Sequence, residues 1–487
     1  MNHSADIGSL FGVSIAAPSS GAAYRNYSLA AGVVVGPMAV DGKRYHSFNS
    51  VSAVQDLFGS NSTAAKLATS WFGGGFGAIK PKQFGIITID ANSKMQITAG
   101  QLTYKEEGNY FVYGGDAEDA AYAFLLAQST QGMPVYVSLT TGVGVITAYA
   151  KVTDGGEKRI QFYNSKADYA EGHPIAFAEG PYDLGDNDVS YSAEVYKDAL
   201  ADALGEILTS PEYYWLVIDP AFTQEQCLMI QAAIATKKQG SGYFAAFLDI
   251  DTKCWSENAT DDTTTLMAKT FNAKRRTSAV VYADYAHNNE MQHAAFLSFF
   301  GTMSDSTEIG TIDVKAVEGI TANKTSPVYS YDDQPGQDNI GSNPNNPVGK
   351  NGNVYSNYTN FGTCFRYGTA ASGDEIGRVV LEDWLVNRIL VNLWNWRINA
   401  KSARYTRNTQ DALIRNISAP LALRVQTGDI VTGVSADGEH NLPKGYTVSV
   451  PMASASDRQQ RIWTGLSFAY LYGNSAKYFE ITGIGTI

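Results

Sequence analysis

Apolar positions along this chain recur with two periods, and the switches between them mark out its elements. Leu29 to Gly36 (LAAGVVVG) predicts a buried strand, Val51, Val54, Leu57 and Phe58 fall at helical spacing, and Phe84 to Ile89 (FGIITI) returns as a strand. Ser62-Thr63 is placed to cap a helix running to Trp71. Strand, helices and strand in this order form an α/β unit around a buried sheet. From Ala91 to Gly185 short strands dominate: Gln101 to Tyr104, Tyr110 to Tyr113, Val135 to Thr140, Val143 to Val152 and Arg159 to Tyr163, interrupted by a helix over Ala117 to Ala127. Turn residues such as Asp154-Gly155-Gly156 between them predict hairpins.

Between Ser190 and Thr321 the alternation is regular. A helix stripe at Tyr196, Leu200, Leu204 and Leu208 precedes a strand at Tyr214 to Ile218, and Thr223-Gln224-Glu225-Gln226 opens the next helix with a capping box. Strands follow at Tyr243 to Ile250, Ser278 to Tyr282 and Thr311 to Val317, with helices around Leu266 to Ala273 and Glu290 to Phe300. Repeated βα units predict a mostly parallel sheet flanked by helices. Ser330 to Tyr358 reads as one long loop, of the kind that is functional or flexible. After Phe361 to Gly368, Leu381, Leu385, Ile389 and Leu393 recur every four residues and predict a long helix over Glu382 to Ala400. Leu413, Ile417, Leu421 and Leu423 form a mixed segment beyond it.

The two ends are β-prone. Lys477 to Thr482 alternates, with Tyr478, Glu480 and Thr482 on one side and Phe479 and Ile481 on the other. Val13, Ser14 and Ile15 lie in a short apolar piece cut off by Pro18-Ser19-Ser20-Gly21. Each end either packs on its own domain or adds to the sheet edge of a neighbour. The implied organisation is an arm at 1–20, a first core part at 21–90, an inserted β-rich domain at 91–185 and an α/β domain at 186–325. A C-terminal core part at 326–475, carrying the loop at 330–358, and an arm at 476–487 complete it.

Composition narrows the classes. A chain of 487 residues exceeds one core. With 44% hydrophobic and only 17% charged residues it is globular with a weakly charged surface, which fits large surfaces lying against other protein and equally a big monomer. A net charge of −12 argues against a nucleic-acid surface, and Lys274-Arg275-Arg276 reads as a solvated helix end. Cys227, Cys254 and Cys364 have no metal-type spacing and do not form a disulfide framework. No apolar run reaches membrane-spanning length. The opening MNHSADIGSLFGVSIAAP lacks a cationic run before an apolar one, so no secretory signal is expected and a reducing cytoplasm is the expected site of folding.

Motif chemistry is sparse. Phe72-Gly73-Gly74-Gly75-Phe76-Gly77 follows a helix instead of opening one, which fits a helix stop and not a phosphate loop. His287 and His293 are poorly spaced for a metal. Asp249 and Asp251, and Asp219 before them, sit at carboxyl ends of expected parallel strands, where α/β proteins place active groups, and equally where turns need aspartate. They carry the enzymatic alternative, a hydrolase or transferase with its site near Asp219 and Asp249. No cofactor or metal is expected. The densest basic stretch is Arg397, Lys401, Arg404, Arg407 and Arg415, readable as a docking surface or as a solvated helix flank.

Four stretches carry a resemblance. They are Gly12 to Ile15 with Tyr24 to Leu29; Phe48 through Thr63 to Phe72; Arg275 to Tyr282 with Gly310 to Ile320; and Trp384-Leu385 with its helix, Gly445-Tyr446, Ser456 to Arg461 and the terminal strand. Together they resemble the tail sheath proteins of contractile-tail bacteriophages, in a sheath-related group long carried as uncharacterised. The resemblance implies a sheath-like α/β multi-domain fold: a core of N- and C-terminal segments, an inserted β-rich domain, an α/β domain and extended terminal strand arms. It implies a structural protein, without enzymatic activity, that polymerises with itself into stacked six-fold rings around a tail tube protein. The terminal arms (Val13, Ser14, Ile15; Tyr478, Phe479, Glu480, Ile481, Thr482) would pair between subunits and the basic stretch would face the tube. Baseplate and tail terminator proteins would be further partners. Contraction would drive the tube through the host envelope for genome delivery, with no nucleic-acid or membrane contact by the sheath. The particle would be a virion assembled in the host cytoplasm, or a phage-tail-like bacteriocin or secretion machine.

Overall fold

The computed structural model describes residues 2–6 and 24–473, apart from 37–42, 91–93, 143, 155, 179–190, 197–199, 211, 238–241, 255–262, 284–289, 314, 324–349, 359–361, 367 and 435–440. In chain order the elements are β1 (Asn2–Asp6), β2 (Ala30–Val35), β3 (Tyr45–Phe48), α1 (Val51–Phe58), α2 (Thr63–Gly73) and β4 (Phe84–Ile89). Next come β5 (Lys94–Ile97), β6 (Leu102–Lys105), β7 (Tyr110–Tyr113), α3 (Ala120–Thr130), β8 (Val135–Thr141), β9 (Gly144–Asp154), β10 (Lys158–Tyr163), α4 (Lys166–Glu171), β11 (Ser192–Tyr196) and α5 (Leu200–Ile207). The alternating stretch gives β12 (Trp215–Ile218), α6 (Gln224–Ala235), β13 (Phe244–Asp249), α7 (Leu266–Asn272), β14 (Ser278–Tyr282) and α8 (Gln292–Ser298). The remainder is β15 (Asn353–Tyr358), β16 (Gly362–Arg366), α9 (Ile376–Asn399), α10 (Arg407–Thr427), β17 (Gly433–Val434), β18 (Asn441–Leu442), β19 (Tyr446–Ser449), α11 (Ala455–Gln460) and β20 (Ser467–Leu471).

The chain divides into two units. The first comprises Met1–Val34, Tyr45–Ile87 and Leu208–Ile487, and is built on an eight-stranded sheet in the order β16-β15-β14-β13-β12-β2-β4-β3. Its strands β2, β12, β13, β14 and β15 run parallel, closed by antiparallel β16 at one edge and β3 on β4 at the other. Every residue of β4, β12, β13 and β14 is buried, which is why these strands read as unbroken apolar runs: helices cover both faces. The second unit, Val35–Arg44 with Thr88–Ile207, is an antiparallel sheet in the order β5-β11-β8-β9-β10-β7-β6 with α3 packed on it. The chain enters this unit after β2 and rejoins the sheet at β3, then enters it again after β4 and returns at Leu208 ahead of β12; the Gly36 amide donates to the Ile89 carbonyl at 2.9 Å.

Three expectations need correction. The two core parts expected at 21–90 and 326–475 and the distinct α/β domain expected at 186–325 share one sheet, because β2 pairs directly with β12 and β15 with β14. The place beside β14 is taken by β15, within the stretch read as a loop, and not by Thr311 to Val317. There Lys315 turns back to bond the Ile312 carbonyl, and its pairing with the sheet is an isolated bridge to Phe365. Tyr196 ends strand β11 instead of starting a helix stripe, so residues 192–207 belong to the second unit. Ser62 and the Thr223–Gln226 capping box sit at the helix starts where they were expected.

α9 and α10 form a long hairpin against the first unit. Val379, Leu381, Trp384, Leu385, Ile389 and Leu393 are buried along α9. α10 runs from a Thr406 N-cap to Gly428 in the left-handed region (φ +93°) and carries Pro420 inside it. α9 begins with a close approach: a Cβ on Gly377 would lie 2.5 Å from the Gly310 carbonyl oxygen. Gly377→Ala is therefore expected to lower the unfolding free energy by about 1–3 kcal/mol. An unchanged urea midpoint would show that the two backbones do not meet.

Candidate functional site

The strand-end carboxylates form the first candidate. A cavity of about 200 Å³ opens at the carboxyl ends of β12 and β13, between Asp219, Phe222, Cys227, Asp249, Asp251 and Leu266. Asp219 is buried and accepts from the Ala221 amide at 2.8 Å. Asp249 is buried as well; one oxygen accepts from the Asp251 amide at 3.0 Å, the other from the Met267 amide at 2.8 Å. Each thus closes an aspartate turn after its strand, and Asp249 also satisfies a free amide in the first turn of α7. Burial pushes the Asp249 carboxyl above the usual range, against those two amide hydrogen bonds. Burial likewise pushes the Cys227 thiol up to about 12, so it holds its proton at neutral pH. This local chemistry is that of a tied-down strand end.

Of the two histidines, His287 lies outside the described residues. His293 on α8 is fully buried, and its Nε2–H donates to the Ile218 carbonyl at 2.8 Å. Cys227, Cys254 and Cys364 are buried free thiols. Among the described residues no group of His, Cys, Asp or Glu is placed to hold a metal, and no helix is long and apolar enough to cross a membrane.

The basic stretch is brought together. Arg397 lies in the last turn of α9, Lys401 and Arg404 in the connector, Arg407 at the start of α10 and Arg415 two turns further on; all five are exposed. Among the described residues none of the five forms an ion pair, and Asp411 shares their surface. Five cations at one end of a hairpin, in a chain of net charge −12, make a local field opposite in sign to the rest of the molecule.

The third candidate is where the chain ends meet. β1, β20 and β19 form a three-stranded antiparallel sheet with β20 in the middle. Asn2 stands opposite Leu471 and Asp6 opposite Ser467, while Tyr446 faces Tyr470 from the other side. Phe468 and Tyr470 are buried in the main core, so β20 belongs to the body of the first unit. The arm residues Val13, Ser14 and Ile15, and Tyr478, Phe479, Glu480, Ile481 and Thr482, lie outside the described residues. β1 went unread in the sequence: NHSAD has no apolar alternation, and its pairing rests on backbone groups that any residue but proline supplies.

No family profile and no curated protein matches the chain. Solved structures do. The helical sheath of the anti-feeding prophage (AFP) in its contracted state matches with a TM-score of 0.50 at 12% identity, over 98% of this chain and 99% of that one. The AFP baseplate (TM-score 0.39, 14% identity) and the contracted sheath complex of PVC, an extracellular contractile injection system (TM-score 0.38, 13% identity), each match over 60% of this chain and 76% of theirs. At these identities the likeness is one of fold, and the end-to-end AFP match is the one that bears on it. The chain has the fold of a contractile sheath subunit.

Proposed function

We propose that this protein is the sheath subunit of a contractile injection particle, polymerising as stacked six-fold rings around a tube and contracting to drive it through an envelope. The observation that carries this reading is the end-to-end fold match with a helical sheath. The chain-end sheet supports it, because β20 lies where strands from distant parts of the chain come together. Terminal segments that add strands hold neighbours by backbone hydrogen bonds, almost regardless of side chain. In this reading Val13 to Ile15 and Tyr478 to Thr482 pair between subunits, and a head-to-tail contact that does not close yields a helix. Baseplate and terminator proteins would bound the stack. The exposed basic tip of the α9–α10 hairpin meets an acidic tube surface.

The solved sheath with the full-length match belongs to the anti-feeding prophage, which favours a phage-tail-like particle over a whole phage. Capsid and terminase genes beside this one would reverse that preference and make genome delivery the outcome. The strand-end aspartates support the enzymatic reading less, since backbone amides bond both oxygens of Asp249 and one oxygen of Asp219.

Purified chain is expected to form tubes or six-fold rings by negative-stain microscopy. Deleting Tyr478 to Ile487 should leave folded, unpolymerised subunits; normal tubes from the truncated chain would overturn the arm assignment. Replacing all five tip cations by glutamate should spare polymerisation but abolish co-sedimentation with the tube. Tube binding by the wild-type chain should weaken as salt rises.

A further inference from the structure

Residues Tyr24 to Tyr27, the first described after the N-terminal arm, are fastened along α9 in reverse order. The Tyr27 hydroxyl donates to the Asp383 carbonyl at 2.8 Å, and the Arg25 amide donates to Asn387 Oδ1 at 3.2 Å. The Arg388 guanidinium stacks 4.1 Å over the Tyr24 ring, and the Tyr24 hydroxyl donates to Asn392. From Asp383 to Asn392 a helix rises roughly 13 Å, close to the roughly 10 Å that an extended run from residue 24 to 27 spans. The match explains how successive residues of the segment reach successive turns of the helix.

Arg25 drives the fastening into the sheet. It is 5% exposed and its guanidinium donates to the Tyr213 carbonyl, at 2.6 Å from Nη2 and 3.2 Å from Nε, and to the Gly242 carbonyl. Those carbonyls lie just before β12 and β13, and the Tyr243 ring lies 4.1 Å beneath the cation. Arg388 continues the fastening outward, reaching both oxygens of Asp305 at 2.5 and 2.6 Å. Five residues beyond Asn392, α9 arrives at Arg397 and the basic tip.

We infer that α9 is a rigid link joining the root of the N-terminal arm to the basic tip, so that a pull on the arm reaches the tip without being absorbed at the root. The roles of arm and tip rest on the proposed sheath function; the mechanical link does not, and it is testable in the unpolymerised chain. In this reading residues 24–27 travel with the helix.

Hydrogen–deuterium exchange of the full-length chain tests this. Arg25→Ala should raise exchange about tenfold or more over residues 24–29, since hydrogen bonds to charged groups are among the stronger ones, and also raise it over 388–406, leaving the second unit unchanged. Tyr24→Ala buries no new charge and removes only the outer contacts, so it should fold normally and shift the same two stretches by about threefold, the scale of a weak cation–π contact. Faster exchange at 24–29 with wild-type rates over 388–406 would overturn the link. So would wild-type rates in both stretches. Absence of tubes by microscopy would strike at the sheath reading and leave this result standing.

Discussion

Asp383→Ala is expected to lower the stability of the first unit by about 3–5 kcal/mol, the scale found when one partner of a buried charged pair is removed. Asp383 is 1% exposed on α9. It accepts from the Tyr214 hydroxyl at 2.7 Å and from Arg276 at 3.2 Å, while its own carbonyl holds Tyr27. Truncation strands a tyrosine hydroxyl in the core and leaves Arg276 with Glu382 at 2.7 Å as its remaining carboxylate. Asp383→Asn should lose less, since the amide oxygen still accepts from Tyr214. All seven tryptophans lie in the stretches that form the first unit and none in the second, so their fluorescence during urea unfolding reports the right transition. A loss below about 1 kcal/mol would mean that the network is incidental to stability.

The second large effect is one of pH. Burial holds the His293 imidazole down at about 4, against the hydrogen bond to Ile218, which pulls it up. An exposed imidazole takes its proton near pH 6.5. As pH falls, the unfolded chain binds that proton first. Stability from the neutral buried ring is therefore complete above about pH 6.5 and lost as pH falls toward 4, by about 3 kcal/mol in all. Nδ1 has no hydrogen-bond partner among the described residues, so no acceptor rewards protonation of the ring. Asp249 and Asp383, raised by burial, shift stability the opposite way over the same acid range. The decisive quantity is thus the difference between wild type and His293→Gln, which can still donate to Ile218 but cannot titrate. Equal slopes of stability between pH 6.5 and 4 in the two proteins would contradict this burial.

What could be read from the sequence followed from how each element earns its burial. Strands covered on both faces, such as Phe84–Ile89 and Trp215–Ile218, are unbroken apolar runs and announced themselves. Helices with a side-chain cap, such as those at Ser62 and Thr223, announced their starts. β15 did not, because it follows a long polar stretch and carries Asn353, Ser356 and Asn357. Asn353 is nevertheless fully buried, donating to the Val280 and Thr369 carbonyls, so polarity there served the interior and not the solvent. β1 and the approach of residues 24–27 to α9 had no one-dimensional signature: both join positions hundreds of residues apart, largely through backbone groups and single polar side chains. Of the candidate sites, the basic cluster was visible as composition. That its members lie around one hairpin end depended on where α9 stops and α10 starts.

The route of the chain through the two units has an architectural consequence. The second unit is built from two excursions, 35–44 and 88–207, and the chain rejoins the eight-stranded sheet after each. β2 and β12 lie on either side of both excursions and still pair directly. The cost of closing a loop grows by only about 0.6 kcal/mol per doubling of its length. The longer excursion is therefore free to be enlarged or pared while β2 and β12 keep their register, which makes residues 88–207 the natural place to attach cargo.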